Sequence, residues 1–293
     1  MTELKLDSKW YDDNLQLVKW SDSTKKVLAS AFFKLRENII GKLGPYCMNV
    51  KGRGGIKGSI RCIYNKIDQY PYAARFDIKS FYGSINHKIL FKHLKNYKID
   101  SCLMQIILDY ITIPDTEHNG TGIVAGGALS TLLGAVYLAT LDEAMNKLYK
   151  KGSVFYLHYV DDIVILAKTR WELKKSIKTM YNVLDALELK VHRHEKRFIG
   201  RTSAGFSFLG YFFKSGKKLR PSKESLQRFA RRAGLLMELG GCKSKLLSYA
   251  ERYLRYIHAG VKNSVSYKRL RKYIRFIDYK FGFNLTDEIT LIC

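Results

Sequence analysis

Tyr159-Val160-Asp161-Asp162 sets two adjacent carboxylates between two apolar runs, Val154-Phe155-Tyr156-Leu157 and Ile163-Val164-Ile165-Leu166-Ala167. Each run reads as a buried strand, so the acids fall at the tip of a hairpin. Strands this apolar seldom end in two acids without a use for them. A third acid, Asp77, has a similar setting in Arg75-Phe76-Asp77-Ile78-Lys79-Ser80-Phe81-Tyr82. Three carboxylates meeting at one spot would hold two divalent cations. Such a pair, roughly 3.5–4 Å apart, stabilises both the attacking and the leaving oxygen in phosphoryl transfer. An isolated Asp-Asp is more often a solvated turn, and what lifts this one is Asp77 in a strand motif of its own.

These acids sit in a strongly basic chain. Its 293 residues would make one large domain or two to three modest ones, and a hydrophobic fraction of 46% is ample for a packed core. Lys and Arg number 51 against 26 Asp and Glu, a formal charge of +25 that favours polyanions. Nucleic acid leads, because each neutralised phosphate releases counterions. An anionic membrane surface ranks lower, since the charge is spread along the chain rather than massed beside a hydrophobic span. The five cysteines are scattered and form no CxxC, so neither a zinc motif nor a disulfide framework is signalled. The first twenty residues lack an apolar signal core and no run approaches a membrane span, which makes a reducing cytoplasm without membrane partners the expectation.

The elements that must position the acids can be read in outline. Residues 10–45 look helix-like, most clearly from Ser23 to Leu43, where Val27, Leu28, Ala31, Phe32 and Leu35 recur at helical spacing. Residues 51–60 read as a basic glycine-rich loop. A strand around Ala73 to Ile78 carries Asp77, and His87 to Asn96 reads as a short helix. A glycine-bearing loop, Thr112 to Gly127, precedes one long helix from about Leu129 to Tyr149. After the acidic hairpin come a helix from about Trp171 to Glu188 and an aromatic strand stretch, Phe206 to Phe213. From Pro221 the chain is nearly all helix. Ser222 is the expected N-cap, Leu226, Phe229, Ala230, Ala233 and Met237 form one apolar stripe, and Lys223, Arg228, Arg231 and Arg232 crowd other faces. A boundary is expected near residue 216. His158 and Asp142 read as structural, and His192 and His194 as solvated or phosphate-contacting.

The strand–Asp77–helix segment, the glycine loop and helix, and the Asp161-Asp162 hairpin follow one another in an order that suits an antiparallel sheet with helices on one face. In these two motifs the chain resembles the reverse transcriptases, most of all the bacterial, group II intron-like and retron-like enzymes, from about Lys51 onward. The resemblance implies an α+β right-hand polymerase. Residues 1–70 would be N-terminal helices and fingers, 71–215 an antiparallel palm sheet with a fingers segment at about 97–127, and 216–293 a helical basic thumb. It implies that Asp77 and Asp161 ligate two magnesium ions, with manganese as the alternative, and that Asp162 assists. Lys196 would act near the leaving pyrophosphate. Tyr82 would lie against the sugar 2′ position and select deoxynucleotides. Phe208-Leu209-Gly210 would grip the primer end. Lys57 and Arg61 would neutralise the triphosphate, Ala125 and Gly126 would line the nucleotide site, and the basic thumb would lie along a template–product duplex.

One departure from the family pattern stands out. Gly122-Ile123-Val124-Ala125-Gly126-Gly127-Ala128-Leu129-Ser130-Thr131 keeps the frame of a Pro-Gln-Gly…Ser-Pro motif without its prolines or its glutamine. Ala125 offers no amide to nucleotide or template. The expected function is RNA-directed DNA synthesis from dNTPs on a dedicated structured non-coding RNA in a bacterial cytoplasm, with a role in antiviral defence suggested by related small enzymes. A template-independent or protein-primed DNA polymerase is the alternative that Ala125 favours. A catalytically idle RNA-binding scaffold is the alternative of another class, against which the three intact acids speak.

Overall fold

The computed structural model describes residues 4–12, 15–115, 119–193, 196–258 and 268–282. Its N-terminal stretch corrects the first expectation. Residues 6–12 and 15–20 are not helical but form an antiparallel pair of strands, β1 (Leu6–Asp12) and β2 (Leu15–Trp20). Strand pairing overrides the helical propensity of the Lys and Leu residues in these strands. Helix α1 (Asp22–Ile40) then begins at Ser21, whose side chain accepts a hydrogen bond from the Thr24 backbone N–H. Its buried residues Leu28, Ala31, Leu35 and Ile39 follow the expected helical spacing.

The basic glycine stretch is a second correction. It is a loop only as far as Gly54, and α2 (Gly55–Lys66) takes up the rest. Lys57 is therefore exposed on a helix, one turn from the exposed Arg61, rather than on a loop.

The chain packs as two compact units, residues 1–55 with 72–199, and residues 56–71 with 200–293. This division does not coincide with the boundary expected near residue 216. In the first unit β3 (Tyr72–Asp77) is followed by α3 (His87–Leu94), α4 (Ser101–Thr112), α5 (Ser130–Tyr137) and α6 (Ala139–Tyr149). Next come β4 (Val154–Tyr159), β5 (Asp162–Ala167) and α7 (Arg170–Ala186). The strands form an antiparallel sheet in the order β4-β5-β3-β6, where β6 is Phe198–Arg201 and starts at the end of this unit. Helices α6 and α7 pack on the sheet and on each other, burying Phe76, Met145, Tyr156, Ile163, Ile165, Met180 and Leu184. The outer edge of β4 is covered by residues 46–48: Met48 N donates to His158 O at 3.1 Å and His158 N to Tyr46 O at 3.1 Å.

The expected single helix over 129–149 is broken at Leu138, which leaves the helical region with ψ near 2°. No proline or glycine stands there. The break separates two packing duties. Gly134 of α5 faces the rings of Phe81 and Tyr82, whereas Asp142 of α6 accepts a hydrogen bond from the Tyr156 hydroxyl at 3.0 Å.

The second unit holds α2, a three-stranded sheet of β7 (Phe206–Phe208), β8 (Tyr211–Phe213) and β9 (Arg220–Pro221), and helices α8 (Lys223–Glu238), α9 (Lys243–His258) and α10 (Lys268–Phe281). Ser222 caps α8 by accepting from Ser225 N. The α8 stripe buries Phe229 against Tyr253 and Tyr249, with ring centroids 4.4 and 5.4 Å away. Among the described residues no helix is long and apolar enough to cross a membrane.

Candidate active site

The acids converge because of strand register. Asp77 ends β3, Asp162 begins β5, and the two are paired residues in the antiparallel ladder. Asp161 precedes Asp162 in the β4–β5 turn, and its carbonyl accepts from Ile78 N at 3.0 Å, tying that turn to the end of β3. Val160 takes φ +58° in the same turn, and Ser80, three residues after Asp77, takes φ +48°. A β-branched residue in the left-handed region is strained, and such strain gathers where surrounding structure holds a functional turn. The segment 190–192 extends the pairing beyond β3: Lys79 N donates to Lys190 O at 2.7 Å and His192 N to Asp77 O at 2.8 Å.

Three basic groups face the acids. Arg75 donates to Asp162 Oδ1 through Nε at 3.0 Å and through its guanidinium NH2, which also lies 3.6 Å from Asp77 Oδ2. His192 Nε2 lies 3.3 Å from Asp77 Oδ1, and Lys196 Nζ lies 3.8 Å from the same oxygen. Arg75 and His192 were not anticipated as parts of the site. A signal for Arg75 does exist: it precedes Asp77 by two, so strand alternation puts both on one face. His192 is a correction, since it contacts a site acid rather than solvent alone. Its companion His194 lies outside the described residues.

Even with these cations nearby, burial disfavours the ionised acids. Burial, and then the neighbouring charges of Asp162 and Asp77, push the Asp161 carboxyl up to about 6. Burial also raises Asp162, against the opposing pull of Arg75. Partly buried carboxylates that repel one another are the donor set that hard divalent cations take. Asp77, Asp161 and Asp162 therefore fit the divalent metals that the sequence motifs imply.

The sign of the resulting pH dependence follows. The folded Asp161 holds its proton to about pH 6, above the ordinary 3.8. In metal-free protein its contribution to stability is therefore full below about pH 4 and is lost as pH rises through 6. Metal binding needs the ionised form and runs the other way. We expect Mg2+ to raise the melting temperature more at pH 7.5 than at pH 5.5 in a dye-based thermal scan. An equal shift at both values would remove Asp161 from the metal site.

Tyr82 follows a short turn after β3, where burial, and then the nearby charge of Asp161, push its hydroxyl up. Ile123 N donates to the Tyr82 carbonyl at 2.8 Å, which brings the glycine loop alongside. In that loop Ala125 is buried, whereas Gly126 is exposed with φ +69°. Gly127 is required by close approach, because a methyl group there would land on the Tyr110 hydroxyl. That ring cannot yield: it stacks on Trp20 at 5.6 Å and its hydroxyl bonds Ser130 Oγ at 2.8 Å, which in turn bonds the Val124 carbonyl. Gly127→Ala is expected to cost about 1–3 kcal/mol in urea denaturation, as overpacked cores do.

The remaining expected site residues belong to the second unit. Phe208 is buried, and Leu209-Gly210 make the β7–β8 turn with φ +45° and +78°. Tyr256 Oη donates to the Leu209 carbonyl at 2.5 Å, anchoring the turn to α9. Lys57 and Arg61 lie on α2, and Lys223, Arg228, Arg231 and Arg232 are exposed on α8.

No curated protein matches the sequence. In shape the chain is similar to telomerase from Candida albicans in complex with a TWJ fragment of telomeric RNA, at 11% identity and TM-score 0.50, over 94% of this chain and 59% of that one. It is also similar to apo telomerase from Candida tropicalis truncated from its C-terminal domain, at 16% identity and TM-score 0.49, over 68% and 44%. The chain thus spans about half the length of these relatives. The model of one sequence family, reverse transcriptase (RNA-dependent DNA polymerase), matches residues 23–213, which include all three acids. With that match over most of its length, and with Asp77 and Asp162 paired at the end of an antiparallel sheet, the chain belongs to the reverse transcriptase family.

Proposed function

We propose that this chain copies a dedicated structured RNA into DNA, using magnesium at Asp77, Asp161 and Asp162, in a bacterial cytoplasm and in the service of antiviral defence. The observation that carries the reading is the register that sets Asp77 against Asp162 beside Asp161. When bound, two divalent ions would activate the primer 3′-oxygen and neutralise the departing pyrophosphate. The protein supplies position and charge. Arg75 holds Asp162 in place, and the half-exposed Lys196 beside Asp77 is free to follow a phosphate. Tyr82 sets its ring where a 2′-hydroxyl would lie.

The basic surface of α8 suits the backbone of a template–product duplex. An RNA partner also accords with the telomeric RNA seen on the Candida albicans protein of similar fold. The thiols of Cys47, Cys62, Cys102 and Cys242 are unpaired, which suits a reducing compartment. One observation favours a second reading, a template-independent or protein-primed polymerase: Ala125 is small and buried where the family pattern has an amide.

Sequencing the nucleic acid that copurifies with the protein, and supplying each dNTP singly with and without that RNA, tests the proposal. One enriched RNA and incorporation that follows its sequence are expected. Equal incorporation with no RNA present would replace the proposal with the second reading.

A further inference from the structure

A second group of metal-ligating side chains, none of them among the catalytic acids, lies close to the catalytic turn. Cys47 comes from the segment covering the β4 edge, Asp142 from α6 and His158 from β4 itself. All three are at most 1% exposed, and one donor atom from each lies within 4.8 Å of the other two. Two of the donors are orphaned. Asp142 Oδ2 has no hydrogen-bond partner. His158 Nε2 stands 3.1 Å from Asp142 Oδ1, but the contact lacks hydrogen-bond alignment and Nε2 too goes unpartnered. Buried polar atoms are nearly always satisfied, so a pair of them aimed into one cluster points to a missing occupant.

We propose that Cys47, Asp142 and His158 bind a zinc ion. One thiolate, one imidazole and one carboxylate make a mixed donor set suited to a borderline-soft cation rather than to magnesium. Donors around tetrahedral zinc stand roughly 3.3–3.8 Å apart, so three atoms already within 4.8 Å need only a small closing movement. A metal ion would take up both orphaned atoms together.

The ion would tie the β4 edge segment, α6 and β4 into one piece. It would also fix the ring whose Nδ1 lies 3.3 Å from the carbonyl of the strained Val160 in the catalytic turn. No CxxC spacing announces such a site, because its donors come from three separate elements.

The inference stands apart from the polymerase reading and its test does not use activity. Protein purified without chelator and dialysed in reducing buffer should retain about one equivalent of zinc per chain by elemental mass spectrometry. Asp161→Asn should retain it as well, which separates this site from the catalytic carboxylates. Cobalt-loaded protein should show a thiolate-to-cobalt charge-transfer band in the near ultraviolet, and Cys47→Ser should lose it. If Cys47→Ser fails to fold, the two wild-type measurements decide. Less than about a tenth of an equivalent of zinc in folded protein, with no cobalt band, would overturn the proposal and leave a protonated His158 paired with Asp142.

Discussion

Asp161→Asn is expected to lower DNA synthesis roughly a thousandfold or more while raising the melting temperature of the metal-free protein. The first effect follows from removing a charged ligand of the ions that carry transition-state charge, where losing about 4 kcal/mol already costs nearly three decades of rate. The second follows from the same environment read the other way. Burial and two neighbouring acids hold the Asp161 carboxyl at about 6, so at neutral pH its ionised form is a burden on the fold. Removing the charge relieves that burden, as is common where a site is built for chemistry rather than stability. The paired readout matters because a misfolded variant would lose both activity and stability. Nucleotide incorporation into a primed template and a thermal scan in chelator measure the two effects. Synthesis within tenfold of wild type, in a folded variant, would remove Asp161 from the catalytic set.

Tyr82→Ala should relax the choice of sugar by on the order of a hundredfold, the range that separates substrates by one small group in a shaped pocket. The ring is held on one side by Phe81, at 5.3 Å between centroids, and Gly134 of α5 packs close against its edge. It cannot swing aside for a 2′-hydroxyl without breaking those contacts. A steric block of this kind acts by repulsion against the wrong substrate, so its loss should raise ribonucleotide insertion more than it lowers deoxynucleotide insertion. Competing ATP against dATP on a template with a single uridine measures the ratio. If wild type and variant discriminate equally, Tyr82 is a core residue and nothing more.

Much of the fold could be read locally. The runs flanking Asp161-Asp162 are short, apolar and bounded, so their strands and the turn between them follow from pattern alone, as does the α8 stripe with its Ser222 cap. Where the reading went astray, a distant partner outweighed local preference. Residues 6–12 and 15–20 mix strand-forming Trp, Tyr and Val with Leu, Lys and Asp, and cross-strand pairing decides them as strands. The helix over 129–149 shows no breaker, yet it bends at Leu138 so that its halves can face different neighbours.

The identity of the three acids, their strand settings and the basic character of the chain were decided by the sequence itself, because alternation and composition are short-range properties written residue by residue. Which groups answer those acids was decided only in three dimensions. Arg75 and Asp162 are 87 residues apart in the chain, and their meeting depends on antiparallel register. Cys47, Asp142 and His158 come from a covering segment, a helix and a strand, and their meeting depends on how those elements pack. Register and packing are set by the sum of many weak contacts over the whole unit, and no short window of sequence contains that sum.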